Sequence, residues 1–255
     1  MATIDLNADL GEGFGPWTMG DDAAMFALVT SANVACGGHA SDPETMFRTL
    51  SLAREHRVSV GAHPSYPDLA GFGRRRMPAT AAEVERFVAA QTGALLAIAA
   101  LADHPVRYVK PHGALANVAA ADADVAAAIA RSVHAVDRNL AVLAISGTCL
   151  EKAARDAGLR VFSEIYADRA YTLAGQLAPR GTPGAVIHDA DAAAERLLSF
   201  FDSGAMPTID GGAIRLAADS ICVHGDKSAA VAMAQRVRMA LETRGLTIAA
   251  FIDQS

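Results

Sequence analysis

The chain has few cysteines and few aromatic residues for its length. Of its 255 residues, three are cysteines (Cys36, Cys149 and Cys222) and 5% are aromatic. The cysteines are widely separated and form no CxxC pair, so neither a zinc ribbon nor a disulfide framework is indicated. An odd number of isolated cysteines is typical of a reducing compartment.

Targeting and membrane signals are also missing. The N-terminal residues Met1 to Asp5 contain no basic region followed by an apolar segment, as a secretory leader would. We find no apolar run that approaches membrane-spanning length. The net charge of −6 argues against broad binding to nucleic acids or anionic membranes. We therefore expect a cytoplasmic protein without nucleic-acid or membrane partners.

Short motifs for metal and nucleotide binding are not evident. Neither HExxH nor HxxxH occurs, so the sequence gives only a weak signal for a metal. The segment 225–228 (Gly-Asp-Lys-Ser) superficially resembles a phosphate loop, but Ser220 stands where the first glycine of that motif is needed. The sequence therefore predicts no nucleotide-binding loop in this chain.

Strand and helix patterns alternate along the whole chain. Hydrophobic residues make up 52% of the sequence, enough for a large core, and no shift in composition marks a domain boundary. Alternating strands and helices are typical of a parallel sheet with helical crossovers. We predict a single α/β domain over residues 1–255, folded as a seven-stranded (β/α) barrel. The predicted strands are 4–9, 30–36, 58–63, 106–112, 140–145, 161–166 and 220–224.

Several helix boundaries have recognisable signals. Asp42 followed by Pro43 predicts a helix start, and Thr80 with Glu83 forms a capping-box pattern. A Gly/Pro-rich stretch at 175–184 is predicted to be a lid or a linker. Asp210-Gly211-Gly212 predicts a hairpin. The predicted helices are 21–29, 42–56, 80–103, 122–137, 148–158, 189–202 and 228–244.

Polar residues recur where the predicted strands end. In a parallel barrel the carboxyl ends of the strands carry the active site, so we predict that these side chains converge there. Each one alone could be a buried core residue or a loop charge, but chance placement of so many is a poorer explanation. The residues are Asp9, Asn33, His39, His63, Lys110, His112, Glu164, Asp168, His224 and Asp226.

Two chemistries fit histidines beside carboxylates. One is a divalent-metal hydrolase with histidine and aspartate ligands. The other is general acid–base catalysis without metal, in which Lys110 and arginines stabilise anions. Cys36 and Cys222 lie within apolar strands, so we expect them to pack inertly rather than act as nucleophiles.

Six stretches of the chain resemble the LamB/YcsF family. The Gly61-Ala-His-Pro64 sequence, which leads into the third of these stretches, is highly specific to that family. Together the stretches span almost the whole chain. They are residues 5–12, 31–37, 63–75, 109–115, 167–171 and 222–226.

The resemblance implies both a fold and a reaction. The fold is a seven-stranded barrel of the glycoside hydrolase/deacetylase type. The reaction is that of the A subunit of bacterial ATP-dependent 5-oxoprolinase, which converts 5-oxoproline to L-glutamate with ATP as co-substrate and the B and C subunits as partners. Two alternatives stay open: a stand-alone metal-dependent amidase or deacetylase, and a non-catalytic binding subunit. A divalent metal and a homo-oligomer are also open.

We assign roles to the site residues from their chemistry. Asp9 or a histidine is expected to activate water, and Lys110 to stabilise negative charge. Arg74 and Arg75 are expected to bind the substrate carboxylate or a phosphate. The predicted catalytic residues are Asp9, His63, Lys110, His112 and His224. The predicted substrate-binding residues are Asn7, Asn33, His39, Arg74, Arg75, Glu164, Asp168 and Arg169.

Overall fold

A computed structural model describes residues 2–224 and 229–252. Residues 225–228, with the Gly-Asp-Lys-Ser segment, Asp226 and the predicted start of the last helix, lie outside the described residues. The strands are β1 (Thr3–Leu10), β2 (Ser31–Ala35), β3 (Ser59–His63), β4 (Val106–Val109), β5 (Ala141–Ile145), β6 (Val161–Tyr166), β7 (Ala205–Pro207), β8 (Ala213–Arg215), β9 (Ser220–Cys222) and β10 (Thr247–Ile248).

Eight α-helices are present among the described residues. All but α4 correspond to predicted helices, with differences of a few residues at their ends. They are α1 (Asp22–Phe26), α2 (Pro43–His56), α3 (Ala81–Ala102), α4 (Gly113–Ala121), α5 (Ala123–Val136), α6 (Cys149–Asp156), α7 (Ala190–Ser203) and α8 (Ala230–Thr243).

Seven parallel strands close into a barrel, which confirms the predicted fold. The strand order is β1-β2-β3-β4-β5-β6-β9, and β9 pairs back onto β1. Asp5 to Asn7 of β1 pair with β9, while Asn7 to Leu10 pair with β2. The short β10 pairs in parallel with the first residues of β1. Outside the barrel, β7 and β8 form the predicted hairpin.

The alternation along β1 produces two different surfaces. Leu6 and Ala8 are fully buried in the apolar layer between the barrel and its helices. Asp5, Asn7 and Asp9 alternate with them and are also buried. Because side chains of a strand point alternately to its two faces, this second set forms a polar lining inside the barrel.

The opposite end of the barrel interior is apolar. Tyr108 and Leu143 pack there with Phe251 and Ile252 from the last described residues. The Tyr108 and Phe251 rings meet edge to face, with centroids 4.9 Å apart. This second core closes one end of the barrel.

The two predicted cap signals are confirmed. The Asp42 carboxylate accepts hydrogen bonds from the amides of Glu44 and Thr45 at the start of α2. At the start of α3, Thr80 and Glu83 form a reciprocal capping box. These contacts satisfy amides that have no partner within the helix.

Helix α3 is more apolar than the sequence analysis allowed. It has 22 residues, and the mean hydropathy of its best 18-residue window is 1.4, so by length and composition alone it could cross a membrane. The expectation that no apolar run approaches that length was wrong for α3, because its many alanines raise its hydropathy. In this fold Val84, Val88 and Leu95 are fully buried, and α3 packs against α2 and α5 in the layer around the barrel.

The fourth predicted strand is shorter than expected. β4 ends at Val109, and Pro111 lies two residues beyond. The chain then enters α4, which begins at Gly113 with a positive φ of 55° and was not predicted. Lys110 and His112 therefore leave the strand at the carboxyl end of the barrel instead of continuing it.

Candidate active site

A cavity of about 320 Å³ opens at the carboxyl ends of the barrel strands. Pockets of roughly 300–1,000 Å³ commonly bind small molecules, so this cavity suits a compact ligand. Its lining combines titratable side chains with cationic ones. The lining includes Asp9, His63, Arg74, His112, Asn117, Tyr166, Arg169, Arg180 and His224.

Asp9 connects the cavity to the polar interior of the barrel. Its Oδ1 lies 2.9 Å from Asn33 Nδ2, 3.2 Å from Lys110 Nζ and 3.2 Å from His63 Nε2. Burial opposes ionisation of Asp9, but the neighbouring His63 and Lys110 outweigh it and hold the pKa of Asp9 well below its usual value. Asp9 is therefore an anion at neutral pH.

Lys110 lies beneath the cavity wall. Its Nζ is 2.7 Å from Glu164 Oε1, 3.2 Å from Asp9 Oδ1 and 3.1 Å from Asn7 Oδ1. Burial favours the neutral amine, but Asp9, Cys222 and Glu164 raise the pKa of Lys110 well above its usual value. Lys110 is thus a permanent cation whose neighbours are protein carboxylates.

Asn7, Asn33 and Glu164 belong to the same interior network. Asn7 Nδ2 donates to Glu164 Oε1 at 2.9 Å, and Asn33 Nδ2 donates to Asn7 Oδ1 at 2.7 Å. Tyr108 donates its hydroxyl proton to Asn33 Oδ1 from below. These side chains contact one another and do not line the cavity, so their substrate-binding roles stay predictions.

Three histidines and a glutamate form a compact cluster at one side of the cavity, defined by Glu12, His39, His63 and His112. Each offers one ligand atom, and these four atoms all lie within 4.8 Å of one another. The His39 and His112 rings stack at 3.7 Å. We call this set the Glu/His cluster; its composition fits a divalent metal ion.

Burial keeps two of these rings neutral. It lowers the pKa of His39 well below 6.5, with a further contribution from His63. It lowers the pKa of His112 in the same direction, helped by His39 and His63. Neutral imidazole is the form that binds metal ions, so these rings are in the state a ligand needs.

A second histidine arrangement lies across the cavity. His224 Nδ1 is 2.7 Å from Asp168 Oδ2, and His224 Nε2 is 3.1 Å from Arg180 Nη2. An arginine only donates, so this contact leaves Nε2 as an acceptor while Nδ1 donates to Asp168. Burial disfavours the imidazolium, but Asp168 outweighs it and raises the pKa of His224 above 6.5. His224 therefore has the environment of a general base.

The predicted arginines differ in placement. Arg74 lines the cavity, with its guanidinium 5.0 Å from the centroid of the Phe72 ring. Arg75 instead pairs with Asp68, and its side chain is 63% exposed. Arg169 lines the cavity, but it donates to Ala178 O at 2.6 Å and so ties down the following segment.

Sequence reasoning missed several residues of the site, among them Glu12 and Arg180. Glu12 follows β1 in a glycine-containing loop, and Arg180 lies in the stretch that was predicted to be a lid or a linker. That stretch is held to the segment that follows β6 by backbone pairing between Tyr171 and Leu177 and by the bond from Arg169 to Ala178 O. An ionisable residue within a Gly/Pro-rich loop was the available signal.

The cysteines behave as expected for packed side chains. Burial raises the pKa of Cys36 to about 12 and that of Cys222 well above its usual value. A thiol nucleophile needs a lowered pKa, so neither is suited to that role.

The barrel and its cavity place the protein in the class of parallel (β/α) barrels whose titratable residues gather at the carboxyl ends of the strands. The chain belongs to the LamB/YcsF family, because the model of that family matches residues 4–255. The resemblance seen in its motifs is thereby confirmed.

Similar proteins cover nearly the whole chain. A protein from Gluconobacter oxydans (strain 621H), named as the A subunit of 5-oxoprolinase, is 54% identical, over 97% of this chain and 98% of its own. A protein of the same name from Azorhizobium caulinodans is 51% identical, over 98% and 99%. The crystal structure of a lactam utilization protein from Thermus thermophilus is 44% identical, over 97% and 99%, with a TM-score of 0.90.

Proposed function

We propose that this chain is the A subunit of an ATP-dependent 5-oxoprolinase. The complex would convert 5-oxo-L-proline to L-glutamate and ATP to ADP and phosphate, with B and C subunits as partners. Support comes from the names of relatives more than 50% identical over nearly their full length. The observation that carries the proposal is one cavity lined by a carboxylate-supported histidine and by cationic side chains.

Ring opening needs activation because the lactam is an ordinary amide. Phosphorylation of the lactam oxygen by ATP releases ADP and makes the ring carbon electrophilic. Water then adds at that carbon, the C–N bond breaks, and the ring nitrogen takes a proton, which leaves a γ-glutamyl phosphate. A second water releases phosphate. In total, 5-oxo-L-proline, ATP and two waters give L-glutamate, ADP and phosphate.

The cavity wall suits the anions of this sequence. The substrate carries a carboxylate, and its activated form also carries a phosphoryl group. Arg74 and Arg180 line the cavity from different segments of the chain. Guanidinium groups bind both kinds of anion through paired hydrogen bonds, so we assign these two residues to substrate binding.

We assign His224 as the general base that takes a proton from the attacking water. Its Nδ1 donates to Asp168, which fixes the tautomer. Its Nε2 accepts from Arg180 and would become available to water when Arg180 binds the substrate anion. The proton that His224 takes from water can then pass to the departing ring nitrogen. The same imidazole would thus act as base and then as acid.

ATP binding is assigned to the complex instead of to this chain alone. The sequence contains no phosphate-loop motif, so we place the supply of ATP to the cavity at an interface with a partner subunit. A cytoplasmic location follows from the need for ATP and agrees with the free cysteines Cys36, Cys149 and Cys222.

The test is glutamate formation from 5-oxoproline by this chain with and without ATP and the B and C subunits. We expect turnover only when all are present. Robust ring opening by the isolated chain would reject the proposal.

A metal-dependent amidase is the second candidate, and the Glu/His cluster favours it. That enzyme would open lactams or cleave amides without ATP and without partners. The isolated chain assayed with a divalent metal and no ATP separates the two functions.

A further inference from the structure

We infer that the Glu/His cluster is a binding site for one first-row divalent transition-metal ion, with Zn²⁺ as its simplest occupant. The inference rests on the geometry of Glu12, His39, His63 and His112. It does not require the reaction proposed above, because an ion could bind there whatever the substrate is.

The hydrogen bonds of two rings point their lone pairs at each other. His63 Nδ1 lies 2.6 Å from Lys110 O, and His112 Nε2 lies 3.0 Å from Phe72 O. A carbonyl oxygen only accepts, so both of these nitrogens carry the proton. The remaining nitrogens, His63 Nε2 and His112 Nδ1, face each other at 3.1 Å. Two lone pairs at that distance need a cation or a proton between them.

The bonds to backbone carbonyls also match those of metal-bound histidines. Such rings almost always donate their outer N–H to a carbonyl or a carboxylate, which fixes the ring orientation. His63 and His112 both do so. His39 is instead oriented by stacking on His112, with the ring planes 2° apart.

Three distances between ligand atoms are close to those around a tetrahedral ion, and all four atoms lie within 4.8 Å of one another. With zinc–ligand bonds of about 2.0–2.1 Å, neighbouring ligand atoms of a tetrahedron lie about 3.3–3.4 Å apart. Here His63 Nε2 and His112 Nδ1 are 3.1 Å apart, His39 Nε2 and Glu12 Oε1 are 3.0 Å apart, and His112 Nδ1 and Glu12 Oε1 are 3.7 Å apart. Small movements would therefore suffice for binding.

The chemistry of the donors restricts the ion. Three imidazole nitrogens and one carboxylate oxygen suit zinc and its first-row neighbours better than Mg²⁺ or Ca²⁺, which prefer oxygen. The Asp9 carboxylate lies 3.2 Å from His63 Nε2 and adds negative charge beside the site.

The cluster is buried but has access from two sides. His63 and His112 line the cavity at the carboxyl ends of the strands. Glu12 and His39 line a second cavity of about 350 Å³, whose outer wall includes Trp17 and Leu69. An ion can therefore arrive from solvent without unfolding of the barrel.

The competing explanation is a proton on His63 Nε2, shared with Asp9 and His112. That arrangement satisfies the same lone pairs without a metal. The two explanations differ in what the folded chain binds, so a binding measurement separates them.

The experiment is titration of the chelator-treated, full-length chain with Zn²⁺, followed by calorimetry and by metal analysis after desalting. We expect one Zn²⁺ per chain and a rise in the melting temperature with added Zn²⁺. Titration with Co²⁺ should produce the intense visible absorption of a tetrahedral site. Neither readout depends on catalytic activity.

Variants locate the ion. His112→Ala and the nearly isosteric Glu12→Gln should each weaken binding, the first by more than about 100-fold, since loss of supporting residues alone costs about 10–100-fold. His134→Ala and Glu44→Gln are the matched controls, because neither residue belongs to the cluster, and both should bind as the unchanged chain does. Circular dichroism of the metal-free variants shows whether each is folded.

Three results would overturn the inference. They are no stoichiometric Zn²⁺ on the folded, unchanged chain, equal binding by His112→Ala and His134→Ala, or a Co²⁺ complex without tetrahedral absorption. Any of these results would leave the proposed ATP-dependent reaction untested, because that reaction is measured separately with the B and C subunits.

Discussion

Lys110 is held as a cation inside the barrel by the carboxylates of Asp9 and Glu164. Removal of one partner from a buried ion pair leaves a charge without compensation, which is much more costly than the pair is stabilising. Lys110 therefore stabilises the barrel and keeps Asp9 ionised.

The first prediction concerns this network. Lys110→Met should lower the free energy of unfolding by about 3–5 kcal/mol, because two buried carboxylates lose their cation. Urea denaturation followed by circular dichroism measures the change. Adding Glu164→Gln to Lys110→Met should recover part of the loss. A single variant within about 1 kcal/mol of the unchanged chain would show that the network is not ionised as described.

Arg74 and Arg75 form a natural matched pair for the second prediction. In the reconstituted complex, Arg74→Ala should raise the KM for 5-oxoproline about tenfold or more, since a charge-assisted hydrogen bond contributes about 1.5–3 kcal/mol. Arg75→Ala should leave the KM nearly unchanged, because Arg75 pairs with Asp68 outside the cavity. Equal KM values for the two variants would show that Arg74 does not bind the substrate.

The third prediction concerns pH. Asp168 raises the pKa of His224, so the neutral base is lost as the pH falls through that raised value. Asp168→Asn removes the negative charge and should lower the pKa of His224. The acid limb of kcat/KM should then move to lower pH by about one unit, while the maximum rate falls. A pH profile with an unmoved acid limb would assign the base to another group.

At the scale of elements, Gly61 of β3 leaves room for the ring of Tyr108 on the neighbouring strand β4. A Cβ on Gly61 would lie 2.1 Å from Cε2 of Tyr108, and that ring fills the barrel interior. Gly93, on the exterior helix α3, has no atom within 4 Å of such a Cβ.

The fourth prediction follows from this contrast. Gly61→Ala should destabilise the barrel by about 1–3 kcal/mol through overpacking. Gly93→Ala should stabilise it by up to about 1 kcal/mol, since alanine is the better helix former. Thermal melts of the two variants measure both effects. A Gly61→Ala protein as stable as the unchanged chain would mean that Tyr108 can move aside.

Elements with a local signal could be predicted from the sequence, and the others could not. The alternation of β1 and the capping box of α3 are local, and both are present in the structure. Helix α4 was missed because its N-cap, His112, makes no side-chain cap bond and Gly113 is a poor helix former. The two-residue β10 exists only through its pairing with β1.

The same distinction holds for the site. The strand-end positions of Asp9, His63 and His224 follow from the barrel topology, which the strand–helix alternation predicts. Glu12 and Arg180 lie in loops whose paths depend on distant contacts, such as the bond from Arg169 to Ala178 O. Such tertiary contacts have no local sequence pattern, so these two residues required the structure.

At the scale of the whole molecule, barrel closure brings distant parts of the chain to one cavity. β9 pairs with both β1 and β6, so His224, near the end of the chain, lies across from Asp9 and His63. The cavity wall comes from strand ends, the loop after β3 and the segment that carries Arg180. We propose that lactam ring opening takes place in this cavity.

The most direct test is glutamate formation by the complex reconstituted with B and C subunits and either the unchanged chain or His224→Ala. Loss of a general base lowers rates by about 10²–10⁴-fold, so His224→Ala should form glutamate at least about 100-fold more slowly while it still assembles with its partners. His134→Ala, outside the cavity, should keep the full rate. Full activity of His224→Ala in the same preparation would contradict the account.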